Sequence, residues 1–182
     1  RTPRPDRHVA WCKVLAAEEQ LAMTDYLLFL DADAYFYDWS NTIEDLAMLL
    51  DQDHLMLFAT NVRDKGYKWD PEKDDHKNPN SGVYLVKNHP VSRQILAEWS
   101  RIPVALPGYA DVWPMDQKGL EEVILPKYGD RIKVLVADYH RINGRDGTFI
   151  RHLSGMSDDA RATILMDEWR RLKSEHGGSP TG

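Results

Sequence analysis

The stretch at residues 25–38, Asp-Tyr-Leu-Leu-Phe-Leu-Asp-Ala-Asp-Ala-Tyr-Phe-Tyr-Asp, decides the fold of this chain. Residues 26–30 form an unbroken apolar run, which is typical of a strand buried on both faces of a mostly parallel sheet. The run ends at two carboxylates, Asp31 and Asp33. Because ligands of open α/β sheets bind at the carboxyl ends of the strands, we expect this pair to lie at a binding site.

The spacing of Asp31 and Asp33 favours a shared ligand. Alternate residues of an extended chain point to the same side, so both carboxylates can face one group. Two neighbouring acids repel each other unless a cation lies between them. Hard oxygen ligands favour Mg²⁺ or Mn²⁺, and such ions commonly join protein carboxylates to substrate phosphates. On these residues alone, a pair that only caps a loop or starts a turn is the alternative.

Composition limits the classes of function. The 182 residues carry a net charge of −6 and no block of five Lys or Arg residues, which argues against nucleic-acid binding through a basic surface. The single cysteine, Cys12, allows neither an internal disulfide nor a cysteine-based zinc site. No apolar run approaches the ~18 residues of a membrane span. We expect residues 1–176 to form one catalytic domain and residues 177–182 to be a disordered tail.

Strands and helices alternate in the hydrophobic pattern, which predicts an α/β domain. Residues 61–80 are polar and predict a long exposed loop, and residues 101–115 predict irregular structure. The predicted helices are 8–23, 43–50, 90–99, 116–125 and 158–176, and the further predicted strands are 55–59, 83–86, 132–136 and 148–152.

Two polar groups stand at places where a strand or turn does not require them. In Asn80-Ser81-Gly82, the glycine lets the backbone approach a ligand and the asparagine can both donate and accept hydrogen bonds. Plain turn chemistry before a strand is the alternative. In Asp116-Gln117, an acid and an amide precede a helical apolar pattern. Here the alternative is that Asp116 caps the helix.

A histidine at the end of the last predicted strand can complete a metal site. His152 offers a neutral nitrogen ligand, which together with two carboxylates makes a set suited to a divalent ion. A structural histidine is the alternative. Gly155 follows three residues later and allows backbone amides to approach a phosphate.

The order of these motifs along the chain carries more weight than any one of them. Over about residues 8–156 it resembles the family 34 glycosyltransferases, the galactosyl-, mannosyl- and xylosyltransferase type. The motifs are Trp11-x-Lys13, Leu30-Asp31-Ala32-Asp33-Ala34, Asn80-Ser81-Gly82-Val83, Asp116-Gln117, Asn143-Gly144 and His152-x-x-Gly155. The resemblance implies a GT-A-like, Rossmann-like fold with a mostly parallel central sheet flanked by helices.

The resemblance also implies a metal-bound donor. Asp31, Asp33 and His152 would hold Mn²⁺ (or Mg²⁺) against the diphosphate of a nucleotide sugar such as UDP-galactose, UDP-xylose or GDP-mannose. Lys13 and Gly155 would lie near the diphosphate or the donor sugar.

The remaining motif residues are implied to face the sugars. Asn80, Ser81 and Gly82 would line the sugar and acceptor side, and Asp116 and Gln117 would lie beside the anomeric carbon. Gln117 would stabilise an oxocarbenium-like transition state instead of acting as a strong nucleophile.

The implied activity is metal-dependent transfer of a hexose or pentose to a glycan or protein-linked acceptor, with retention of anomeric configuration. In the family, the first strands of the fold, which hold the nucleotide base, precede the Trp11 motif by several tens of residues, whereas ten residues precede it here. Either those strands and a membrane anchor belong to a longer chain, or base recognition is built differently. In a eukaryote the implied location is the Golgi lumen.

Two other functions fit parts of the sequence. A haloacid-dehalogenase-type phosphatase also places Asp-x-Asp after an apolar strand, with the first Asp, here Asp31, as nucleophile. Thr60 would then bind phosphate, and Asp158-Asp159 would supply the late acidic motif. A non-catalytic glycosyltransferase-like domain that only binds its ligand is the third possibility.

Overall fold

The chain forms alternating strands and helices in the computed structural model, which describes residues 8–61, 78–136 and 138–176. The strands are β1 (Tyr26–Leu30), β2 (Ala34–Phe36), β3 (Met56–Thr60), β4 (Pro79–Lys87), β5 (Ile132–Leu135) and β6 (Ile150–His152). The helices are α1 (Trp11–Leu21), α2 (Ile43–Ala47), α3 (Pro90–Ala105), α4 (Met115–Gly119), α5 (Leu125–Tyr128) and α6 (Asp158–His176). A π-helical turn, Leu120–Ile124, joins α4 to α5.

The central sheet has the strand order β1-β4-β3-β5. β5 pairs parallel with β3, whereas β4 pairs antiparallel with both β1 and β3. Strands β1, β3 and β5 therefore run in one direction, which confirms the predicted α/β fold with a mostly parallel sheet. The reversed strand β4 brings its first residues beside the carboxyl end of β1, at the edge where ligands bind in such sheets.

The polar residues 80–82 lie inside β4, whereas the sequence predicts the strand to begin at residue 83. Ala59 pairs with Asn80 and Phe58 pairs with Tyr84, so residues 81–83 form a bulge against β3. A bulge turns the strand and redirects its side chains. These residues are buried within the strand, which excludes the alternative of a plain exposed turn.

A second sheet consists of β2 and β6, and the sequence pattern did not predict β2. The register pairs Ala34 with His152 and Phe36 with Ile150. Because Ala34 follows Asp33 directly, this pairing brings His152 next to the aspartate pair.

Two hydrophobic clusters pack on the two faces of the central sheet. On one face, α1 and α3 contribute Trp11 and Trp99, which pack with Tyr84 of β4. On the other face, Leu57 and Leu85 pack with Ile150 and with residues of α2. The central strands β3 and β4 are almost fully buried, whereas β1 is only half-buried because it lies at the edge of the described sheet. The prediction of burial on both faces is thus wrong for β1.

Helix boundaries differ from prediction at several helices: α1 is shorter than the predicted 8–23, and the predicted helix 116–125 consists of α4, the π-helical turn and the start of α5. α3 continues past Trp99 and includes Pro103, because buried Ile102 extends the apolar stripe of the helix. α2 ends at Ala47, before the predicted residue 50, and Thr42 is its N-cap, forming a reciprocal capping box with Asp45. Most of the predicted 61–80 loop and the predicted 177–182 tail lie outside the described residues. None of the described helices is both long enough and apolar enough for a membrane span.

Candidate metal centre

Asp31, Asp33 and His152 converge at the carboxyl end of β1. One ligand atom from each lies within 4.8 Å of the other two. Asp31 follows the last residue of β1, Asp33 precedes β2, and His152 ends β6, so two strand ends and a tight turn position the set. The predicted metal ligands are thus brought together by the β2–β6 pairing.

His152 is oriented by Asn143. The Asn143 amide donates to the carbonyl of Thr60 (3.0 Å), and its Oδ1 accepts the N–H of Gly144 (2.9 Å). Oδ1 also lies 3.0 Å from Nδ1 of His152, and because a carbonyl oxygen only accepts, Nδ1 is the donor in this contact. Nε2, the other ring nitrogen, faces Oδ1 of Asp33 at 3.3 Å and is the nitrogen that a metal ion at this site could use. Metal-binding histidines are commonly oriented through their second nitrogen in this way.

Both carboxylate oxygens of Asp33 contact nitrogen atoms of other side chains. Oδ1 faces His152, and Oδ2 accepts a hydrogen bond from Nη1 of Arg161 at 2.7 Å. The hydrogen bonds from His152 and Arg161 hold the pKa of Asp33 well below its usual value, although partial burial opposes this shift. Asp33 is therefore an ionised ligand across the physiological pH range.

Lys13 connects the aspartate pair to Asp116. Its Nζ lies 3.3 Å from both carboxylate oxygens of Asp31, 3.3 Å from Oγ of Ser81 and 3.0 Å from Oδ2 of Asp116. Asp116 is buried, and this burial raises the pKa of its carboxyl group, with the charge of Lys13 acting in the opposite direction. The backbone carbonyl of Asp116 accepts the indole N–H of Trp99 at 2.8 Å, which fixes the start of α4.

Gly82 leaves the space into which the cluster fits. A Cβ at this position would lie 2.7 Å from Nε2 of His152 and 2.9 Å from Oδ2 of Asp31. Asn80 holds the bulge that presents Gly82, since its Oδ1 accepts the Gly82 N–H at 2.8 Å and its Nδ2 donates to Asn61. In this structure Asn80 therefore stabilises the backbone that positions Gly82 and has no direct contact with the Asp31–Asp33–His152 cluster among the hydrogen bonds described above.

Two predicted residues lie apart from the cluster contacts. The amide of Gln117 donates to Glu121 at 2.9 Å, and consecutive residues of a helix do not face each other, so Gln117 and Asp116 point in different directions. Gly155 is exposed, has φ of +73° and has space around it. Their predicted contacts with the donor sugar and the phosphate stay predictions.

Sequence reasoning missed Asn143 and Arg161. Asn143 was noticed only as part of an Asn-Gly turn, a pattern that gives no cue that its side chain orients a histidine nine residues later. Arg161 lies 128 residues from Asp33 along the chain, in a helix that sequence reasoning left without a functional role. Only the folded arrangement brings either residue to the site.

The donor set fits a hard divalent cation. Two carboxylates and one imidazole suit Mg²⁺ or Mn²⁺. Ligand distances of about 2.0–2.1 Å place two ligands of one ion at most about 4.2 Å apart, so the 4.8 Å spread needs only a small inward movement. Three carboxylates, those of Asp31, Asp33 and Asp116, face two fixed cations, Lys13 and Arg161. These groups together carry a net charge of −1. A bound divalent ion would change it to +1, which would favour an anionic ligand.

Comparison with known proteins identifies the type of fold. No protein-family model matches the sequence, and a search of curated proteins finds no match either. The chain is similar in structure to a glycosyltransferase involved in the glycosylation of the major capsid of PBCV-1, with a TM-score of 0.66 and 18% identity over 92% of this chain and 81% of that chain. The galactosyltransferase LgtC, in complex with donor and acceptor sugar analogues, gives a TM-score of 0.53 and 18% identity over 87% of this chain and 65% of its own. The chain thus has the GT-A type of fold.

Proposed function

We propose that this chain is a metal-dependent glycosyltransferase of the family 34 type. It moves a hexose or pentose from a nucleotide-diphosphate sugar to a glycan or protein-linked acceptor, with retention at the anomeric carbon. The observation that carries the proposal is the Asp31–Asp33–His152 cluster, which lies at the ligand-binding edge of a sheet whose structural neighbours are glycosyltransferases.

The residues of the cluster would act on the donor diphosphate. Asp31, Asp33 and His152 would hold Mn²⁺ or Mg²⁺, which supplies Lewis-acid stabilisation of the negative charge that develops on the leaving nucleoside diphosphate. Asn143 keeps Nε2 of His152 available as a ligand, and Arg161 keeps Asp33 ionised. Lys13 adds a fixed positive charge beside the same site.

The sugar-facing roles fall to Asp116 and Gln117. Asp116 is buried against Lys13, so it can hold a hydroxyl of the donor sugar in a fixed position. Gln117 carries a neutral amide, whose carbonyl would stabilise positive charge at the anomeric carbon without forming a full covalent bond. Gly155 would let backbone amides approach the diphosphate.

The phosphatase alternative is not favoured. The structural neighbours named above are glycosyltransferases, and the hydroxyl of Thr60, which would have to bind phosphate, donates to the carbonyl of Asn78 at 3.3 Å. Asp31, which would have to be the nucleophile, is paired with Lys13.

Calorimetric titration of UDP and GDP, with Mn²⁺ and with chelator, tests the metal site. Wild-type protein is expected to bind one nucleotide only with the metal. Asp33→Ala should weaken that binding by more than the roughly 10–100-fold that loss of an outer-shell partner costs. Asp111→Ala, which removes an exposed aspartate from the loop before α4, is the matched control and should bind normally. Unchanged binding by Asp33→Ala contradicts the proposed site.

Turnover separates the three functions. Mn²⁺-dependent hydrolysis or transfer of a sugar nucleotide supports the transferase. Metal-dependent nucleotide binding without transfer to any of a panel of acceptors supports a binding domain, and release of phosphate from small phosphoesters with Mg²⁺ supports the phosphatase.

A further inference from the structure

An open groove of about 760 Å³ lies beyond β2, outside the metal centre. Its volume is within the ~300–1,000 Å³ range of small-molecule sites. Aromatic rings form one part of its lining and short polar side chains form the other. The aromatic residues are Tyr26, Phe36, Trp39 and Phe149, and the polar residues are Thr24, Asp25, Asn41, Thr42 and Glu44.

Trp39 forms an exposed platform at the side of this groove. The side chain of Trp39 is 64% exposed, yet one side of its ring packs against Phe36, with 5.3 Å between the ring centroids. The ring of Phe36 in turn packs against Phe149, with 5.4 Å between the centroids. Trp39 also lines a neighbouring cavity of about 320 Å³ together with Tyr37 and Arg171, so the ring is a wall between two open spaces. Packing inside the protein therefore does not account for a large aromatic residue at this position.

The charges of the groove disfavour an anionic ligand. Asp25 and Glu44 are carboxylates, and the described residues that line the groove include no Lys, Arg or His. A phosphate or nucleotide would be repelled there. An exposed indole face beside hydrogen-bonding carboxylate and amide groups instead suits a sugar ring, which has an apolar C–H face and a rim of hydroxyl groups.

The second sheet connects this groove to the metal centre. Ala34 pairs with His152 at the metal end of the ladder, and Phe36 pairs with Ile150 at the groove end. Phe36 lies two residues from Ala34, about 7 Å along β2, and Tyr26 lies five residues from Asp31, about 17 Å along β1. An extended oligosaccharide of several units can therefore reach both places.

We propose that the groove at Trp39 binds a neutral oligosaccharide, the part of the acceptor glycan that lies beyond the reacting sugar. The identification as acceptor rests on the function proposed above, whereas carbohydrate binding at the groove does not.

The test of binding uses metal-free protein and neutral gluco-, manno-, galacto- and xylo-oligosaccharides of two to six units, followed by saturation-transfer NMR and calorimetry. At least one series is expected to bind in the presence of chelator, and Trp39→Ala should weaken its binding at least tenfold while Trp39→Phe retains part of it. Trp169→Ala, which removes an exposed tryptophan of α6, is the matched control and should bind like wild type.

Three results overturn the proposal: no oligosaccharide of the panel binds wild-type protein, Trp39→Ala binds as well as wild type, or sedimentation shows a dimer that Trp39→Ala dissociates. The first two can occur while Mn²⁺-dependent nucleotide binding is intact, which leaves the proposed function standing. Conversely, oligosaccharide binding without nucleotide binding refutes the transferase and retains the carbohydrate site. With an active enzyme, Trp39→Ala should raise the KM for a long acceptor at least fivefold with little change in kcat.

Discussion

Gly82 is the residue on which the metal cluster depends most directly for space. Gly82→Ala places a methyl group against the ring of His152 and the carboxylate of Asp31, and neither candidate ligand can move aside without leaving the cluster. We expect at least a tenfold loss of Mn²⁺ affinity and a loss of about 1–3 kcal/mol in the free energy of unfolding, measured by calorimetry and urea denaturation. Gly108→Ala is the matched control, because a Cβ there meets no atom within 4 Å. Equal Mn²⁺ affinity in the two variants contradicts the assigned geometry.

Asp116 lowers the free energy of unfolding at neutral pH, because ionisation of its buried carboxyl group is unfavourable in the folded protein. Burial raises its pKa above the ordinary 3.8, so the folded protein binds this proton more tightly than the unfolded chain does. Ionisation therefore reduces the free energy of unfolding as the pH rises above that value. Asp116→Asn cannot ionise, so its stability relative to wild type should increase between about pH 4 and about pH 7. Urea denaturation across this range measures the trend, and a relative stability that falls with pH argues against it.

At the residue scale, sequence alone found the three residues of the candidate metal cluster and missed the residues that support them. Asp31 and Asp33 follow an apolar strand, and His152 ends another, so position relative to a strand identified them. Asn143 and Arg161 act through side-chain contacts that form only when β6 and α6 fold against the aspartate pair. No local pattern encodes such contacts.

The elements that position Lys13 and Asp116 meet at Gly119. A Cβ on this glycine of α4 would lie 2.7 Å from Cη2 of Trp11 and 3.1 Å from Cδ1 of Ile102, which are buried residues of α1 and α3. Overpacking of this kind costs about 1–3 kcal/mol, against about 1 kcal/mol gained by replacing glycine within a helix. We therefore expect Gly119→Ala to lower the free energy of unfolding by up to about 2 kcal/mol.

Gly129→Ala is the matched control for this helix contact, because a Cβ at residue 129 meets no atom within 4 Å. It should be neutral or stabilising by less than about 1 kcal/mol. Urea denaturation measures the free energy of unfolding of both variants. If Gly119→Ala is as stable as Gly129→Ala, the prediction is wrong and α4 can shift to accommodate the methyl group. A shift of α4 would also move Asp116 away from Lys13.

At the element scale, strand and helix types were predictable and strand relationships were not. The apolar runs of β1, β3 and β5 indicated strands, but nothing in β4 signals that it runs in the opposite direction. The start of β4 contains polar residues, which lie at or next to the bulge at residues 81–83. β1 is apolar but half-exposed, because it lies at the edge of the described sheet. Both are consequences of sheet order, which depends on pairing between segments distant in sequence.

In the molecule as a whole, α6 is attached differently from the other long helices. α1 and α3 each bury a row of apolar residues against the sheet, whereas none of residues 158–175 is buried. α6 is attached instead through charged groups: Arg161 to Asp33, Glu168 to Arg151, and Arg171 beside the ring of Tyr37. The helix that contacts Asp33, a candidate metal ligand, therefore depends on ionic contacts with the rest of the chain.

This attachment predicts a distinct response of α6 to salt. Ionic contacts of partly exposed groups weaken as added salt screens them, whereas burial of apolar surface does not weaken in this way. Hydrogen exchange at about 0.05 M and about 0.5 M NaCl should therefore show α6 amides exchanging several-fold faster at the higher salt, while β3 and β4 stay protected and unchanged. Arg161→Gln should make α6 exchange fast at both salt concentrations, whereas Arg170→Gln, which removes only a pair within α6, should not. If α6 is as protected as β4 at both salt concentrations, apolar packing holds the helix, and Asp33 does not rely on α6 for its orientation.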